Sequence, residues 1–186
     1  MVYSTQYGQT EKIARRIRDF LQQQGLEAKA FSIDRKEALD SIPLDEYDCV
    51  VVGAPVYVGK FPPLLIHWAK DHAAQLRKLP TAFFSVSLNA ADKRTEARAE
   101  DARLVREFLT QTGMMPRVIS SLIGALHYRK YGWLKRWMLR RISKSNGGPT
   151  DTSQDHELTN WEGVEEFARS VAGIASLNDD GRPDIS

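Results

Sequence analysis

The chain has 186 residues, of which 42% are hydrophobic and 27% charged, and its formal net charge is +2. This composition is typical of one soluble globular domain, so it excludes an intrinsically disordered chain and gives no overall signal for nucleic-acid binding. No run of about 20 apolar residues occurs, so no transmembrane helix is predicted, and the first residues lack the pattern of a signal peptide.

The cysteine content is a single residue, Cys49, within the apolar run 47–52. With no second cysteine to pair with, it indicates a reducing compartment, and we expect the protein to be cytoplasmic. Its apolar neighbours favour a small buried hydrophobe over a nucleophile. No metal site is predicted.

The opening residues contain the first candidate site. Residues 1–3 have the character of a strand end, and a turn rich in hydroxyl groups leads from them into a helix that begins near Thr10. The Thr5 and Thr10 hydroxyls can donate to phosphate oxygens, Gly8 lets the backbone bend close to a ligand, and a helix N-terminus favours anions. The alternative is a helix that merely caps itself with Thr10. The absence of a dinucleotide glycine triplet and of a triphosphate-binding lysine favours a monophosphate.

Helices and strands alternate along the rest of the chain. Helical spacing of apolar residues predicts a first helix that ends at Gly25, and alternation over 26–33 predicts a partly exposed edge strand. A polar connection, 34–45, leads to the β-branched run 47–53, which is typical of a strand buried on both faces. The following stretch, 53–60, is predicted to be a loop because it is too rich in Gly and Pro to continue the strand.

A second helix opens at Pro62 and Pro63. We interpret His67 and His72 on this helix as surface or capping residues. A further strand is predicted over 81–88, after Pro80.

Two more helices complete the predicted elements. One spans 95–112, a strand over 117–125 follows, and a last amphipathic helix spans 161–175 with Asn160 as its cap. The inward face of the helix over 95–112 is predicted to consist of Ala99, Ala102, Val105, Phe108 and Leu109.

Strands separated by helices imply an α/β fold, a parallel sheet with helices on both faces. In such a sheet a ligand lies outside the carboxyl ends of the strands, where the strand order reverses. The loops near Ser4, Pro55 and Leu88 each follow a predicted strand, so we expect them to meet. We expect one domain over 1–176 and a loose polar tail over 177–186.

With these loops placed, the sequence resembles the flavodoxin family. The stretch Thr5-x-Tyr7-Gly8-Gln9-Thr10 is similar to that family's Thr-x-Thr-Gly-Asn-Thr loop for the FMN phosphate, and the departures Tyr7 and Gln9 both keep a hydrogen-bonding side chain. The resemblance implies a flavodoxin-like, doubly wound sheet of five parallel strands in the order 2-1-3-4-5, with FMN as cofactor. A strand usually spans about 5–6 residues, so we expect that upstream residues of the first strand are missing or that this strand is unusually short.

The resemblance also implies which residues contact FMN. The loop 55–59 falls where flavodoxins wrap the isoalloxazine ring, with Tyr57 at a position that often holds an aromatic residue, and a plain surface tyrosine is the alternative. Residues 87–89 fall at the second ring-contacting loop. A flat heterocycle suits such an apolar, partly aromatic slot. The implied contacts are Ser4, Thr5, Gln6, Tyr7, Gly8, Gln9, Thr10, Pro55, Val56, Tyr57, Val58, Gly59, Ser87, Leu88 and Asn89.

A basic segment, 127–148, is predicted as a helical insertion after the fifth strand. It contains seven Lys and Arg residues and no acid, so a net charge of +2 for the whole chain leaves −5 for the rest. Trp133, Trp137 and Ile142 lie on one helical stripe, a pattern typical of a membrane-interface helix. Each cation near an anionic leaflet contributes about 1 kcal/mol. We expect an anionic membrane surface or a large anionic ligand as partner, not nucleic acid; the alternative is a helix packed on its own domain.

The basic segment indicates which group within the flavodoxin family the chain resembles. Together with Gly147-Gly148-x-Thr150-Asp151-Thr152 and the last helix, which begins with Trp161, it is similar to the bacterial quinone-dependent protoporphyrinogen IX dehydrogenases. That resemblance implies an enzyme at the inner face of the cell membrane that passes six electrons from protoporphyrinogen IX to menaquinone or ubiquinone, with the flavin accepting hydride equivalents. The candidate substrate or membrane contacts are His127, Tyr128, Arg129, Lys130, Trp133, Arg136, Trp137, Arg140 and Arg141.

Other functions stay open on the sequence alone. They are a flavodoxin-like electron carrier, an NAD(P)H:quinone reductase, and a membrane-associated FMN-binding module without turnover. The basic segment argues against the carrier, whose docking face is expected to be acidic. The choice of quinone and the oligomeric state are open as well.

Overall fold

The computed structural model describes residues 1–34, 42–87, 95–126, 156–157 and 159–179. The strands are β1 (Val2–Tyr3), β2 (Phe31–Ser32), β3 (Val50–Pro55), β4 (Thr81–Ser87), β5 (Val118–Ile123), β6 (Ala125–Leu126) and β7 (His156–Glu157). The helices are α1 (Gln9–Gln23), α2 (Pro63–Asp71), α3 (Ala73–Leu76), α4 (Thr95–Thr112) and α5 (Trp161–Asp179), and a 3-10 turn spans Leu44–Glu46.

The main sheet has the order β2-β1-β3-β4-β5, and each neighbouring pair is parallel. Helices cover both faces of this sheet. On one face α1 and α5 pack around Phe84, and on the other α2 and α4 pack around Phe83. These two neighbouring residues point to opposite faces because side chains alternate along a strand. The predicted doubly wound fold, with its strand order 2-1-3-4-5, is confirmed.

Three strand predictions differ from the structure in their bounds, and the strand predicted over 117–125 is divided at Gly124 into β5 and β6. The strand predicted over 26–33 is reduced to β2, because its neighbour in the described sheet is β1, a strand of two residues. The prediction that a loop begins at Gly53 is wrong, since β3 continues to Pro55 and pairs there with Val86. A proline is accommodated because this position lies at the very end of the strand.

The predicted helices are present at the predicted positions, but some residues predicted to face the core are exposed. α4 has the predicted bounds, and Val105 and Phe108 are buried, but Ala99 and Ala102 are exposed. The buried stripe of α4 instead begins at Ala97 and includes Asp101, which is 4% exposed. An acidic residue on the inward face was not expected, because a buried carboxylate costs free energy unless it is paired.

The last helix begins at Trp161, as predicted, and the Asn160 side chain caps it by accepting a hydrogen bond from Gly163 N at 3.3 Å. It runs through Asp179, four residues beyond the predicted end, so the first residues of the predicted polar tail are helical. Both histidines of the second helix are placed as interpreted. His67 is exposed, and His72 lies at the junction of α2 and α3, with its Nδ1 2.8 Å from Trp68 O.

A second, small sheet was not predicted. β5 ends at Ile123, and after Gly124 the chain forms β6, which pairs antiparallel with β7. Residues that are 30 positions or more apart in the chain, Leu126 and His156, are therefore neighbours in this small sheet. Residues 127–155, which include the whole basic segment, lie outside the described residues. Within the described part of the chain, no helix combines the length and apolar character needed to cross a membrane.

Cys49 lies just before β3, half-buried against the cluster formed by α1 and α5. Burial raises the pKa of its thiol to about 11. A thiol with this pKa is un-ionised at neutral pH, and the thiolate is the reactive form. The structure therefore supports the interpretation of Cys49 as a small hydrophobe.

Candidate functional site

The loop after β1 bends sharply into α1. Ser4 N donates to Gly53 O of β3 at 3.1 Å, which holds the start of the loop against the sheet. Gly8 has φ 90°, a left-handed conformation that glycine adopts without strain, and α1 begins directly after it. The alternative in which Thr10 caps the helix is wrong, because Thr10 lies inside the first turn and is 1% exposed. The N-cap residue of α1 is Gly8, which has no side chain to cap the helix, and a helix N-terminus of this kind favours an anion such as a phosphate.

Thr5 closes the loop on itself. Its Oγ1 accepts a hydrogen bond from Gly8 N at 3.0 Å, which leaves the hydroxyl hydrogen to donate outward. A Cβ added at Gly8 would meet none of the described atoms within 4 Å, so the space beside the loop is open to a ligand. The residue types and the shape both suit a phosphate group.

Gln9 connects the start of α1 to β5, the strand at one edge of the main sheet. The side chain is 6% exposed, and its Nε2 donates to Thr159 Oγ1 at 2.7 Å. That hydroxyl in turn donates to Ile123 O, at the end of β5, at 3.0 Å. Part of the side chain predicted to contact phosphate is therefore engaged in a connection between α1 and β5, which the sequence pattern did not indicate.

Tyr7 and Tyr57 bring the first two predicted loops together. Their rings meet edge to face with centroids 5.7 Å apart, a favourable arrangement for aromatic pairs. A hydrogen bond between the two side chains, in which the Tyr57 O–H donates to Tyr7, raises the pKa of the Tyr57 phenol above its ordinary value. The expectation that these loops meet at the carboxyl edge of the sheet is supported by this direct contact.

The second loop is a tight turn between Tyr57 and Lys60. Tyr57 N donates to Lys60 O at 2.9 Å, and Lys60 N donates to Tyr57 O at 3.0 Å. The two central residues, Val58 and Gly59, have φ 48° and φ 70°, as a type I′ turn requires. Val58 is the non-glycine residue with positive φ in the described ranges, and a β-branched side chain makes this conformation strained. Such strain is found preferentially at functional sites.

The third loop follows β4, next to the second. Val56 N donates to Val86 O at 2.8 Å, so the chain beyond Pro55 still runs beside β4. Ser87 is 3% exposed, and its carbonyl oxygen accepts from Gly124 N at 3.1 Å. Leu88 and Asn89, predicted to contact the ring, lie outside the described residues, as do all the predicted substrate and membrane contacts, 127–141.

Asp34 was missed by the sequence reasoning. Its Oδ1 accepts a hydrogen bond from Ser4 Oγ at 2.7 Å, and its Oδ2 accepts from Thr5 N at 2.6 Å. Ser32 Oγ also donates to Oδ2, at 3.2 Å. A signal was available, because Asp34 is the first polar residue after a predicted strand, the same position that marked the other three loops.

Comparison with known proteins decides the family. A model of the flavodoxin domain matches residues 1–153. The chain belongs to the flavodoxin family. It is 33% identical over 174 residues to the protoporphyrinogen IX dehydrogenase [quinone] of Escherichia coli K12, covering 94% of each chain. It is also 33% identical to the enzyme of the same name from Leishmania major, covering 94% of this chain and 74% of that one.

Solved structures agree on the fold. The chain superimposes on a short-chain flavodoxin associated with a bacterial microcompartment with a TM-score of 0.50, at 14% identity, over 94% of this chain and 95% of that one. The match to curated oxidoreductases over nearly the whole length makes this flavodoxin-family protein an enzyme, an oxidoreductase. A flavodoxin domain implies a flavin cofactor. The N-terminus of α1, the open space at Gly8 and the Tyr7–Tyr57 pair fit such a group.

Proposed function

We propose that this flavodoxin-family oxidoreductase binds FMN and oxidises protoporphyrinogen IX to protoporphyrin IX, with a membrane quinone as electron acceptor. The observation that carries the proposal is the 33% identity, over 94% of the chain, to enzymes named for this reaction. The match covers 174 residues of the chain, so it extends well beyond the flavin loops.

The choice of FMN rests on the loop after β1. The Thr5 hydroxyl, the open space beside Gly8 and the N-terminus of α1 support the binding of a phosphate group at this loop. The sequence contains neither the glycine triplet that a dinucleotide needs nor the lysine that a triphosphate needs. A flavin with a single phosphate is the cofactor that these features suit.

When bound, FMN supplies two-electron redox chemistry, so the six electrons of one substrate molecule reduce three quinones to quinols. The chain supplies position and environment. Tyr7 and Tyr57 offer aromatic edges at the carboxyl end of the sheet, and the Tyr57–Lys60 turn presents backbone groups beside them. The cationic side chains of the basic segment pair with the two substrate propionates and with anionic lipid headgroups.

An anaerobic turnover assay tests the reaction. The purified protein is loaded with FMN, mixed with protoporphyrinogen IX and a quinone, and followed by porphyrin fluorescence. Fluorescence that rises only when FMN and quinone are both present is the expected result. Bound FMN without porphyrin formation would contradict the proposal and favour the electron carrier. Oxidation of NADPH by the same sample, with quinone as acceptor, would favour the nicotinamide-dependent reductase.

A vesicle-binding assay tests the membrane role. Replacing Arg136, Arg140 and Arg141 with Glu is expected to weaken binding to vesicles that contain anionic lipid, while FMN occupancy stays unchanged. The matched control reverses three exposed charges elsewhere on the domain, at Lys70, Arg98 and Arg106, and so changes net charge equally. Equal vesicle binding by the two triple variants would refute a specific role for the basic segment.

A further inference from the structure

Asp34 holds the start of the phosphate loop from the side of the edge strand. It follows β2 directly, and its two carboxylate oxygens reach the side chain of Ser4 and the backbone N–H of Thr5. Ser4 is 3% exposed, so one of these hydrogen bonds is shielded from water. Hydrogen bonds to a charged acceptor are about twice as strong as neutral ones.

The loop is thereby fixed on three sides. On the β3 side, Ser4 N donates to Gly53 O. On the β2 side, the Asp34 carboxylate accepts hydrogen bonds from the Ser4 hydroxyl and from the Thr5 N–H. Within the loop, Gly8 N donates to Thr5 Oγ1. The orientation of Thr5, and of the hydroxyl hydrogen that it can donate outward, therefore depends on the Asp34 carboxylate.

From this geometry we infer that Asp34 is a positioning residue for the cofactor phosphate: it orients Ser4 and Thr5 so that the loop is preorganised for phosphate before the flavin arrives. The inference rests on the proposed binding of FMN. Preorganisation raises affinity because the ordering cost of the loop is met during folding and not during binding.

An anionic group next to a phosphate site also has an opposing effect. Repulsion between the Asp34 carboxylate and a phosphate would weaken binding, so removing the charge could tighten it. The two effects are separable, because repulsion between exposed charges is screened by salt. The loss of two short hydrogen bonds that fix the loop is not screened in this way, and we expect it to be the larger effect.

The test compares FMN with riboflavin, which lacks the phosphate, by flavin-fluorescence titration of the full chain. Asp34→Ala is expected to raise the Kd for FMN about tenfold, which corresponds to about 1.4 kcal/mol, and to change the Kd for riboflavin less than about twofold. Asp34→Asn, which keeps one acceptor oxygen, should fall between wild type and Asp34→Ala. The control is Asp45→Ala, the same change at an exposed acid in the turn before β3.

Two further measurements make the cause specific. In the flavin-free protein, Asp34→Ala should speed hydrogen exchange at the Thr5 amide, because that N–H loses its acceptor. Ser4→Ala breaks the other bond, so the effects of Ser4→Ala and Asp34→Ala on the FMN Kd should be less than additive.

The outcomes separate this inference from the proposed function. A wild-type protein that binds neither flavin would overturn the binding of FMN itself. Wild-type binding of FMN, combined with an FMN-to-riboflavin affinity ratio that Asp34→Ala leaves unchanged, would overturn only the role of Asp34. Tighter FMN binding by Asp34→Ala at low salt would also overturn it, because repulsion would then be the larger effect.

Discussion

Gly53 in β3 lies directly against the buried ring of Phe84 in β4. A Cβ added there would lie 2.3 Å from Phe84 Cζ and 2.6 Å from Cε1, whereas ordinary contact begins at 3.4 Å. The ring has no room to give way, since Phe84 is 0% exposed and packs edge to face on Phe167 at 5.7 Å. We therefore expect Gly53→Ala to force a displacement of about 1 Å in the core.

The magnitude follows from two opposing effects. Overpacking of a tight core costs about 1–3 kcal/mol, and three ring atoms within 3.0 Å place this site at the upper end. Replacing Gly by Ala reduces the entropy of the unfolded chain, which returns about 0.4–1 kcal/mol. The net loss of stability is about 2 kcal/mol. For a domain of this size the Tm falls by about 4–8 °C.

Thermal unfolding of Gly53→Ala and of a matched control measures this effect. The control is Gly173→Ala in α5, where a Cβ would meet none of the described atoms within 4 Å. Alanine is favoured over glycine in a helix by up to about 1 kcal/mol, so this variant should be stabilised. Phe84→Leu removes the clashing ring atoms, and we expect the double variant Gly53→Ala/Phe84→Leu to be more stable than the sum of the single effects implies.

The steric reasoning is refuted if Gly53→Ala unfolds at or above the wild-type temperature. Strict additivity of Gly53→Ala with Phe84→Leu would refute it as well, because the cost would then arise somewhere other than the ring. A functional effect accompanies the structural one. Gly53 O accepts a hydrogen bond from Ser4 N, so displacement at Gly53 should also weaken flavin binding by Gly53→Ala.

Three further predictions concern single side chains. Val58→Asn should stabilise the flavin-free protein by about 1 kcal/mol, because asparagine tolerates the positive φ and Val58 is already 60% exposed. The control is Met115→Asn, at an exposed residue whose φ is not positive. A lower Tm for Val58→Asn than for the wild type would show that Val58 is not strained. Burial raises the pKa of the Cys49 thiol to about 11, so the folded state binds its proton more tightly than the unfolded state does. The free energy of unfolding should therefore be unaffected below about pH 9 and fall by about 2–3 kcal/mol as the pH rises to about 11. Chemical denaturation of Cys49→Ala should show no such decline, and an unchanged decline would mean that another group causes it. Tyr7→Phe should lower the pKa of the Tyr57 phenol, because the hydrogen bond that raises this pKa is lost. The titration is followed by tyrosinate absorbance, and Tyr57→Phe identifies which part of the signal comes from Tyr57. An unchanged pKa of Tyr57 in Tyr7→Phe would mean that the two phenols do not interact.

Patterns within one element were readable from the sequence. The β-branched run before Gly53 predicted a buried strand, the bounds of α4 were predicted, and Asn160 was identified as a cap from its position before Trp161. These features depend on side chains a few residues apart. Periodicity and capping chemistry report such local relations directly.

Features set by distant parts of the chain were not readable. The length of β2 is limited by β1, and the β6–β7 pair joins residues on either side of 127–155. Val105, Phe108 and Leu109 were assigned correctly to the inward face of α4, but Ala99 and Ala102 were not, because helical spacing alone does not say which residues of the first turns meet the sheet. The hydrogen bonds of Asp34 likewise cross from one strand to its neighbour. Each of these depends on which segments become neighbours in space.

The β6–β7 pair has a consequence for how this domain tolerates changes in length. Ala125 pairs with Glu157, so the ends of 127–155 are clamped side by side whatever lies between them. Each doubling of a connection between clamped ends adds only about 0.6 kcal/mol of closure entropy. The connection at this point can therefore vary in length at little cost to the stability of the main sheet, which makes it a suitable position for inserting a further segment into the domain.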